Sequence, residues 1–241
     1  IDTLVGFFGI DLKPTSSKDP YALRRSALGV IRLLIDNDKE FNIKDLISYS
    51  ISLHRDQGFE FLNNSIQKEL TDFLLDRLKH YMKEKEIRID IINASINKYG
   101  IENLNKIYRK AFTLNRVINK QTGEDIISSY KRISNILDSE LKNGDFELSN
   151  TTDPGIFKND YEKNLLKKIN ELKKYFLGIN KDENYEESLI NLAEAKNVIF
   201  EFFDNVKVND EDKNIKKNRL ELLQMLCRTF DNYVIFSEIE A

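Results

Sequence analysis

Residues 13–32 read KPTSSKDPYALRRSALGVIR and contain the clearest helix start in the chain. Asp19 is a preferred N-cap residue and Pro20 suits the first helical position, so the sequence predicts a helix that begins here. At 3.6 residues per turn, one side of this helix is apolar: Leu23, Ala27, Val30, Ile31 and Leu34. The other side carries Tyr21, Arg25 and Arg32. An arginine row beside an aromatic ring suits a phosphate backbone and a stacked base.

The composition predicts an all-α fold, a multi-helix bundle. Only 3 prolines and 9 glycines interrupt the 241 residues, whereas a protein of many strands and tight turns needs more. Apolar residues recur at helical spacing over nine stretches, 19–35, 41–53, 60–85, 90–99, 102–119, 124–141, 160–177, 185–205 and 210–230. Lys142–Lys158 lacks this period and is predicted to be a loop. The apolar tail Tyr233–Phe236 is expected to dock on the bundle.

The overall charge limits how the chain can bind nucleic acid. A net charge of −3 argues against binding by bulk attraction, so such a role must depend on local basic faces. The lone Cys227 excludes an intramolecular disulfide and suits a reducing, cytoplasmic location. No apolar run approaches membrane-spanning length, so we expect no membrane partner. The chain starts on an apolar segment without a methionine or a signal peptide, and we expect a piece of a longer protein.

Catalytic signals are sparse in this sequence. The two histidines, His54 and His80, lie far apart. Asp76 and Glu84 flank His80 at one helical turn, but zinc needs three or four convergent ligands, so a solvated face is the simpler interpretation. No Ser/His/Asp pattern, glycine-rich phosphate loop or CxxC occurs. We therefore expect no catalytic residue, no metal and no cofactor in the chain itself.

Two further predicted helices carry ordered polar faces. The first has basic and polar residues at three- and four-residue spacing: Lys106, Arg109, Lys110, Thr113, Arg116 and Lys120. The second places Ser128, Lys131, Arg132 and Asn135 along one stripe. Each stripe by itself can be a solvated face, although Arg and Asn together can read base edges as well as phosphates. Arg132 can instead be structural, bonding helix-end carbonyls or a carboxylate of a neighbouring helix.

Arg219 differs from these arginines because it lies towards the apolar side of its helix. Asp204 closes the preceding helix at the edge of its apolar face. The sequence therefore predicts a structural Asp204–Arg219 ion pair that joins the two helices.

Several segments, which follow one another in the same order, resemble the C-terminal part of the bacterial glycyl-tRNA synthetase beta subunit. They are residues 1–8 (IDTLVGFF), 13–32 quoted above, 73–78 (FLLDRL), 130–137 (YKRISNIL), and 202–206 (FFDNV) with 218–223 (NRLELL). One departure is Ser16, where that family usually has Gly, and it affects only a loop. The matches run from the first residue almost to the last.

The resemblance implies a domain order and a set of partners. It implies the end of an HD-like domain and a connecting loop over 1–18, a helical linker and the first part of the tRNA-binding region over 19–123, and a DALR-like anticodon-binding helical bundle over 124–241. The family's Ala-Asp-Lys run is absent before Ile1, so we expect no complete HD metal site. The implied partners are tRNA(Gly) and the alpha subunit of an alpha/beta hetero-oligomer. ATP and Mg would be used by the alpha subunit, in attaching glycine to tRNA(Gly).

Seven residues are the candidate tRNA contacts, in the order Arg132, Asn135, Lys131, Arg109, Arg116, Arg25 and Arg32. Two other classes of function stay open. An inter-subunit scaffold would organise alpha and beta with little direct RNA contact, and its signature would be a large exposed apolar patch. An HD-type phosphohydrolase would need a His-Asp pair and a metal, which this sequence does not show.

Overall fold

The computed structural model describes residues 1–97, 103–143, 147–149, 151–178 and 184–240. Within these ranges every regular element is helical, which confirms the all-α prediction. The α-helices are α1 (Asp2–Gly9), α2 (Leu23–Asp36), α3 (Ile43–Asp56), α4 (Ile66–Glu84), α5 (Ile89–Ile96), α6 (Leu104–Val117), α7 (Gln121–Asn143), α8 (Asp160–Gly178), α9 (Tyr185–Ala193), α10 (Lys196–Asn205) and α11 (Lys213–Phe230). Short 3-10 turns cover Pro154–Ile156 and Phe236–Glu238.

The chain forms two compact units, residues 1–112 and residues 113–241. The sequence predicts three parts, 1–18, 19–123 and 124–241, each with its own domain type. The two compact units do not test those domain types, so this division stays a prediction. The predicted helix end at residue 99 and the predicted helix start at residue 102 lie outside the described residues, as does part of the predicted loop 142–158.

The first unit is built around α1 and α4. The short helix α1 packs on α3 and α4, and α2 packs along α4. Because Leu4 and Val5 of α1 are fully buried, each contributes about 1.5–3 kcal/mol of hydrophobic stabilisation. Gly9 closes α1 where the ring of Phe61 leaves no room for a Cβ atom.

The start of α2 lies later than the sequence predicts. The helix begins at Leu23, and Asp19 is not its N-cap residue. The Asp19 carboxylate nevertheless accepts hydrogen bonds from the backbone N–H groups of Leu23 and Arg24, at 2.9 and 3.0 Å. It caps the helix from across a turn, and Ala22 takes a left-handed conformation with φ of 55° to make that turn. Pro20 and Tyr21 therefore precede the helix.

The predicted helix over 60–85 also begins late, at Ile66. The backbone N–H groups of Leu62 and Asn63 both donate to the carbonyl of Gly9, at 2.9 and 3.2 Å. The Asn63 side chain donates to the carbonyl of Phe8 and to Glu69. These bonds hold the segment against the end of α1, so it cannot join the helix that follows.

The second unit is centred on α11, which packs on α7 and α8. The predicted single helix over 185–205 is wrong, because the chain turns at Glu194 and Ala195. This turn lets α9 pack on α7 while α10 packs on α8. No Gly or Pro marks the turn, so tertiary packing rather than local sequence produces it.

The C-terminal tail docks as predicted, with Tyr233, Val234 and Phe236 buried. Cys227 is buried in the same unit, and burial raises the pKa of its thiol to about 12. Across the part of the chain that the structure describes, each helix is too short or too polar to cross a lipid bilayer.

Gly123 makes the turn from α6 to α7 possible. A Cβ atom at this position would lie 2.3 Å from the backbone carbonyl oxygen of Ile118, which cannot move independently of the turn. We expect Gly123→Ala to lower the free energy of unfolding by about 1–3 kcal/mol. Chemical denaturation followed by circular dichroism measures this loss.

Gly178→Ala is the matched control, since nothing lies within 4 Å of a Cβ atom there. It should change the unfolding free energy by no more than about 0.5 kcal/mol. Equal effects of the two substitutions would contradict the steric account of Gly123.

Candidate nucleic-acid interface

A buried ion-pair cluster holds the second unit together around Arg219. The Arg219 side chain is 5% exposed and donates from Nε to Glu162 of α8 at 2.7 Å. Its Nη1 donates to Asp210 and to the carbonyl of Lys207, at 2.7 and 2.8 Å. Glu162 is also buried and accepts from the backbone N–H groups of Lys158 and Asn159. The guanidinium therefore fastens α11 to the start of α8 and to the loop before α11.

The predicted Asp204–Arg219 pair is wrong. Asp204 is exposed at the end of α10, and its carboxylate accepts from Arg132 of α7 at 3.1 Å. Arg219 has Glu162 and Asp210 as its partners. The backbone N–H of Asp212 and the Arg219 guanidinium both hold the pKa of Asp210 below its usual value. Sequence placed Arg219 correctly on a buried face, but Glu162 lies 57 residues away and no local pattern identifies it.

Arg132 lies in an aromatic clamp on α10. Its guanidinium carbon is 4.6 Å from the centre of the Phe200 ring and 4.8 Å from that of Phe203. Lys196 lies near the same ring, 5.7 Å from the centre of Phe200. Its ammonium group is also 2.6 Å from Asp125 of α7, and this hydrogen bond lowers the pKa of the Asp125 carboxyl group. These contacts correspond to the structural alternative considered for Arg132, since a neighbouring helix supplies its carboxylate.

The remaining residues of the α7 stripe point away from the core. Ile126, Tyr130, Ile133 and Leu137 are buried, as the predicted period requires. Asn135 is exposed and Lys131 is half-buried, and neither has an ion pair or hydrogen bond from its side chain to another described residue. The outer surface of α7 therefore presents a cation and an amide that are available to a ligand.

The basic stripe predicted on α6 is only partly exposed. Lys110 is 7% exposed and belongs to the buried side, which corrects its place in the stripe. Arg109 donates to Asp38 at 2.8 Å, and Asn105 donates to the same oxygen. Arg116 is exposed in the last turn, where its positive charge interacts favourably with the helix dipole. Lys120 is exposed in the turn after the helix.

On α2 the two arginines lie as the sequence predicts, and the aromatic residue does not. Arg25 and Arg32 are both exposed, two helical turns apart. Tyr21 precedes the helix and packs on Phe7, with ring centres 4.5 Å apart. The ring is therefore part of the packing between α1 and the loop before α2, and it does not extend the arginine row.

One basic face was missed at the sequence level, on α8. Lys163, Lys167 and Lys174 are separated by four and seven residues, and all three are exposed. The buried residues Leu165 and Ile169 lie on the other side of the helix. That spacing was visible in the sequence and could have identified the face.

Within the described ranges, no group of three or more His, Cys, Asp or Glu side chains converges. His80 lies 4.0 Å from Asp76 on an exposed helix face. His54 packs edge-on against the rings of Phe59 and Phe61.

Both units match known protein families. Residues 126–240 match the family model of the DALR anticodon binding domain. Residues 1–97 match the family model described as the glycyl-tRNA synthetase beta subunit. An all-α chain whose second unit matches an anticodon-binding domain falls in the class of aminoacyl-tRNA synthetase subunits.

Curated relatives agree with this class along the whole chain. The glycine–tRNA ligase beta subunits of Rickettsia prowazekii and Rickettsia africae are 35% and 36% identical over 239 residues, or 99% of this chain. The corresponding subunit of Rickettsia conorii is 36% identical over the same length. The chain spans about one third, 34%, of the length of each of these relatives. It belongs to the glycyl-tRNA synthetase beta subunit family.

The Arg219 cluster can be tested by double-mutant cycles. Arg219→Met strands the buried Glu162 charge and should lower the unfolding free energy by about 3–5 kcal/mol. Combining it with Glu162→Gln should show a coupling energy of about 1–3 kcal/mol in denaturant titrations. The cycle of Arg219→Met with Asp204→Asn is the control and should show none. Coupling to Asp204 but not to Glu162 would overturn the assignment.

The aromatic clamp predicts a contrast between neighbouring residues of α7. Arg132→Ala removes two cation–π contacts and should lower the unfolding free energy by about 1–2 kcal/mol. Lys131→Ala should change it by no more than about 0.5 kcal/mol. Thermal unfolding of the two variants measures the difference, and equal stability would show that the clamp contributes nothing.

Proposed function

We propose that this chain binds the anticodon arm of tRNA(Gly) and so supports the ATP-dependent attachment of glycine to tRNA(Gly) by an alpha/beta glycine–tRNA ligase. The proposal depends chiefly on the residues that α7 exposes on its outer surface. It lies within the unit that matches an anticodon-binding domain, and it presents Lys131 and Asn135 beside the clamped Arg132.

Each candidate residue has a chemistry that suits its place. Lys131 and Arg116 carry charges that are free to meet phosphates, which position RNA without reading its sequence. Asn135 offers an amide that can donate to and accept from the edge of an unstacked base. Arg132 is held in place by its ring contacts and by Asp204, and it is proposed as a further contact at the edge of this surface. Arg25 and Arg32, together with Arg109 beside Asp38, are proposed as further backbone contacts in the first unit.

Binding at the anticodon arm contributes to the reaction by orientation. In this proposal the adenylate chemistry, with its ATP and Mg, belongs to the alpha subunit. An anticodon arm held by the beta subunit restricts where the acceptor end can lie, and lost translational and rotational freedom is a large part of a reaction barrier. No residue of this chain is assigned a step in bond making or breaking.

A second function is favoured for the first unit, namely docking of the alpha subunit. Leu62, Leu33 and Tyr49 are 76%, 66% and 65% exposed, and all belong to residues 1–112. Tyr49 lies one helical turn before Leu53, which is also exposed, on α3. A contiguous patch of such side chains is typical of an interaction surface, and the docking role proposes that these residues form one. The scaffold and the RNA-binding roles would then belong to different units.

Binding to tRNA(Gly) over a salt series tests the proposed RNA role. The chain should bind tRNA(Gly) more tightly than a tRNA with an altered anticodon. The logarithm of the affinity should fall linearly with the logarithm of salt concentration. Lys131→Ala should reduce that slope by about 0.7–0.9, since one phosphate contact is lost. Asn135→Ala should leave the slope unchanged and reduce the difference in affinity between tRNA(Gly) and the tRNA with an altered anticodon.

Lys213→Ala is the matched control, because Lys213 is an exposed lysine of the same unit at the start of α11. It should leave both the slope and the discrimination unchanged. Equal and feeble binding of both tRNAs would contradict the anticodon assignment and leave the docking role as the better account of the chain.

A further inference from the structure

A groove of about 520 Å³ lies along the outer face of α8, where the loop before the helix folds back beside it. Its apolar lining comes from Pro154 and Phe157 of that loop and from Leu166 of the helix. Lys163, Lys167 and Lys174 also line it. None of these residues belongs to the faces that the sequence singles out for RNA.

The charges of the groove favour an anionic occupant. Lys163 is 2.8 Å from Asp160, and this hydrogen bond raises the pKa of the lysine. Lys167 and Lys174 have no side-chain ion pair or hydrogen bond to any other described residue. In the described lining Glu171 is the acidic residue, against three lysines of which Lys163 is paired with Asp160, so the excess positive charge comes from Lys167 and Lys174. An open groove with an apolar floor and excess positive charge suits a ligand with both a flat apolar part and negative charges.

The groove is held in shape by hydrogen bonds from α11 and α8. Asn218 of α11 accepts from the Thr152 hydroxyl and from the backbone N–H of Asp153, at 2.8 and 2.7 Å. It also donates to the carbonyl of Asp153 at 3.0 Å. Glu162 accepts from the backbone N–H of Lys158 directly after Phe157. Because these bonds fix the loop on both sides of Pro154 and Phe157, a ligand would not have to order it, which favours binding.

We infer that this groove binds a single-stranded RNA segment, with one unpaired base on the Phe157 and Leu166 floor and phosphates at Lys167 and Lys174. The inference rests on the proposed function for the identity of the RNA as tRNA(Gly), and it adds a contact surface on α8. Asn170 lies between the two lysines in sequence and lines the same groove, where its amide can meet the edge of the base.

The spacing of the lysines favours a strand over a free nucleotide. Lys167 and Lys174 are seven residues apart, which corresponds to about 10.5 Å along the helix axis, and Lys163 adds about 6 Å more. A strand carries a negative charge on every nucleotide and can meet several of these cations at once. A mononucleotide carries its charges at one end and cannot reach both ends of the row. Base stacking with backbone contacts is a general mode of single-strand binding.

The test is binding of the 241-residue chain to a labelled ten-nucleotide single-stranded RNA, in parallel with tRNA(Gly), over a salt series. The double variant with Lys167→Ala and Lys174→Ala should reduce the salt slope by about 1.4 for the oligonucleotide, since two phosphate contacts are lost. Phe157→Ala should weaken binding about five-fold or more. Lys173→Ala is the control, since this lysine is on the same helix but does not line the groove, and it should change neither quantity.

Each outcome decides one of the two claims. An oligonucleotide affinity that the groove variants leave unchanged overturns the inference, while a persistent effect of Lys131→Ala on tRNA(Gly) leaves the proposed function in place. If the groove variants weaken oligonucleotide binding, but the chain binds tRNA(Gly) no more tightly than a tRNA with an altered anticodon, the inference is supported and the proposed function is contradicted. Displacement of the oligonucleotide by an equal concentration of AMP or of a poly-glutamate peptide would also overturn the inference. The far-ultraviolet circular dichroism of every variant verifies that it is folded.

Discussion

The buried pairing of Arg219 with Glu162 is the interaction on which the second unit depends. Both side chains are almost fully removed from water, and a charge in that position is tolerated only when paired and hydrogen-bonded. Their bond joins α11 to α8. Asp210, the second partner of Arg219, attaches the loop between α10 and α11. Asn218, one position earlier on α11, fixes the loop before α8. The face of α8 and the groove beside it thus have their shape because a few polar groups on α11 are satisfied inside the bundle. A comparable role falls to Asn63 in the first unit, where its amide fastens the start of α4 to α1.

The exposed surfaces of the two units differ in chemistry, and this difference supports different roles. Residues 1–112 leave large apolar side chains in water, among them Leu33, Tyr49 and Leu62. The described part of the second unit leaves fewer such side chains in water, Leu177 being the most exposed of them, and it presents lysines on α8 and a cation with an amide on α7. With a net charge of −3, the chain cannot attract RNA as a whole, so recognition depends on such local faces. The docking of a protein partner and the binding of RNA then need not compete for one surface.

Sequence patterns predicted what depends on local periodicity and missed what depends on distant partners. The all-α class, the buried side of α7 and the docking of Tyr233 and Phe236 follow from spacing alone, and the structure confirms them. Asp19 was identified as a cap, but its side chain reaches across a turn, so α2 begins later than the N-cap rule predicts. Arg219 was recognised as buried, whereas its partner Glu162 comes from another helix. Which arginine is free for RNA likewise depends on tertiary contacts, as Arg132 between two phenylalanine rings shows.

The most direct test of the account is a footprint of tRNA(Gly) bound to this chain, because it maps the contact on the RNA rather than on the protein. Hydroxyl-radical cleavage along the tRNA, with and without the chain, reports which riboses become protected. The account predicts protection that is confined to the anticodon arm and centred on the anticodon loop. Protection of the acceptor stem alone, or a cleavage pattern unchanged by saturating protein, would contradict the claim that this chain holds the anticodon arm.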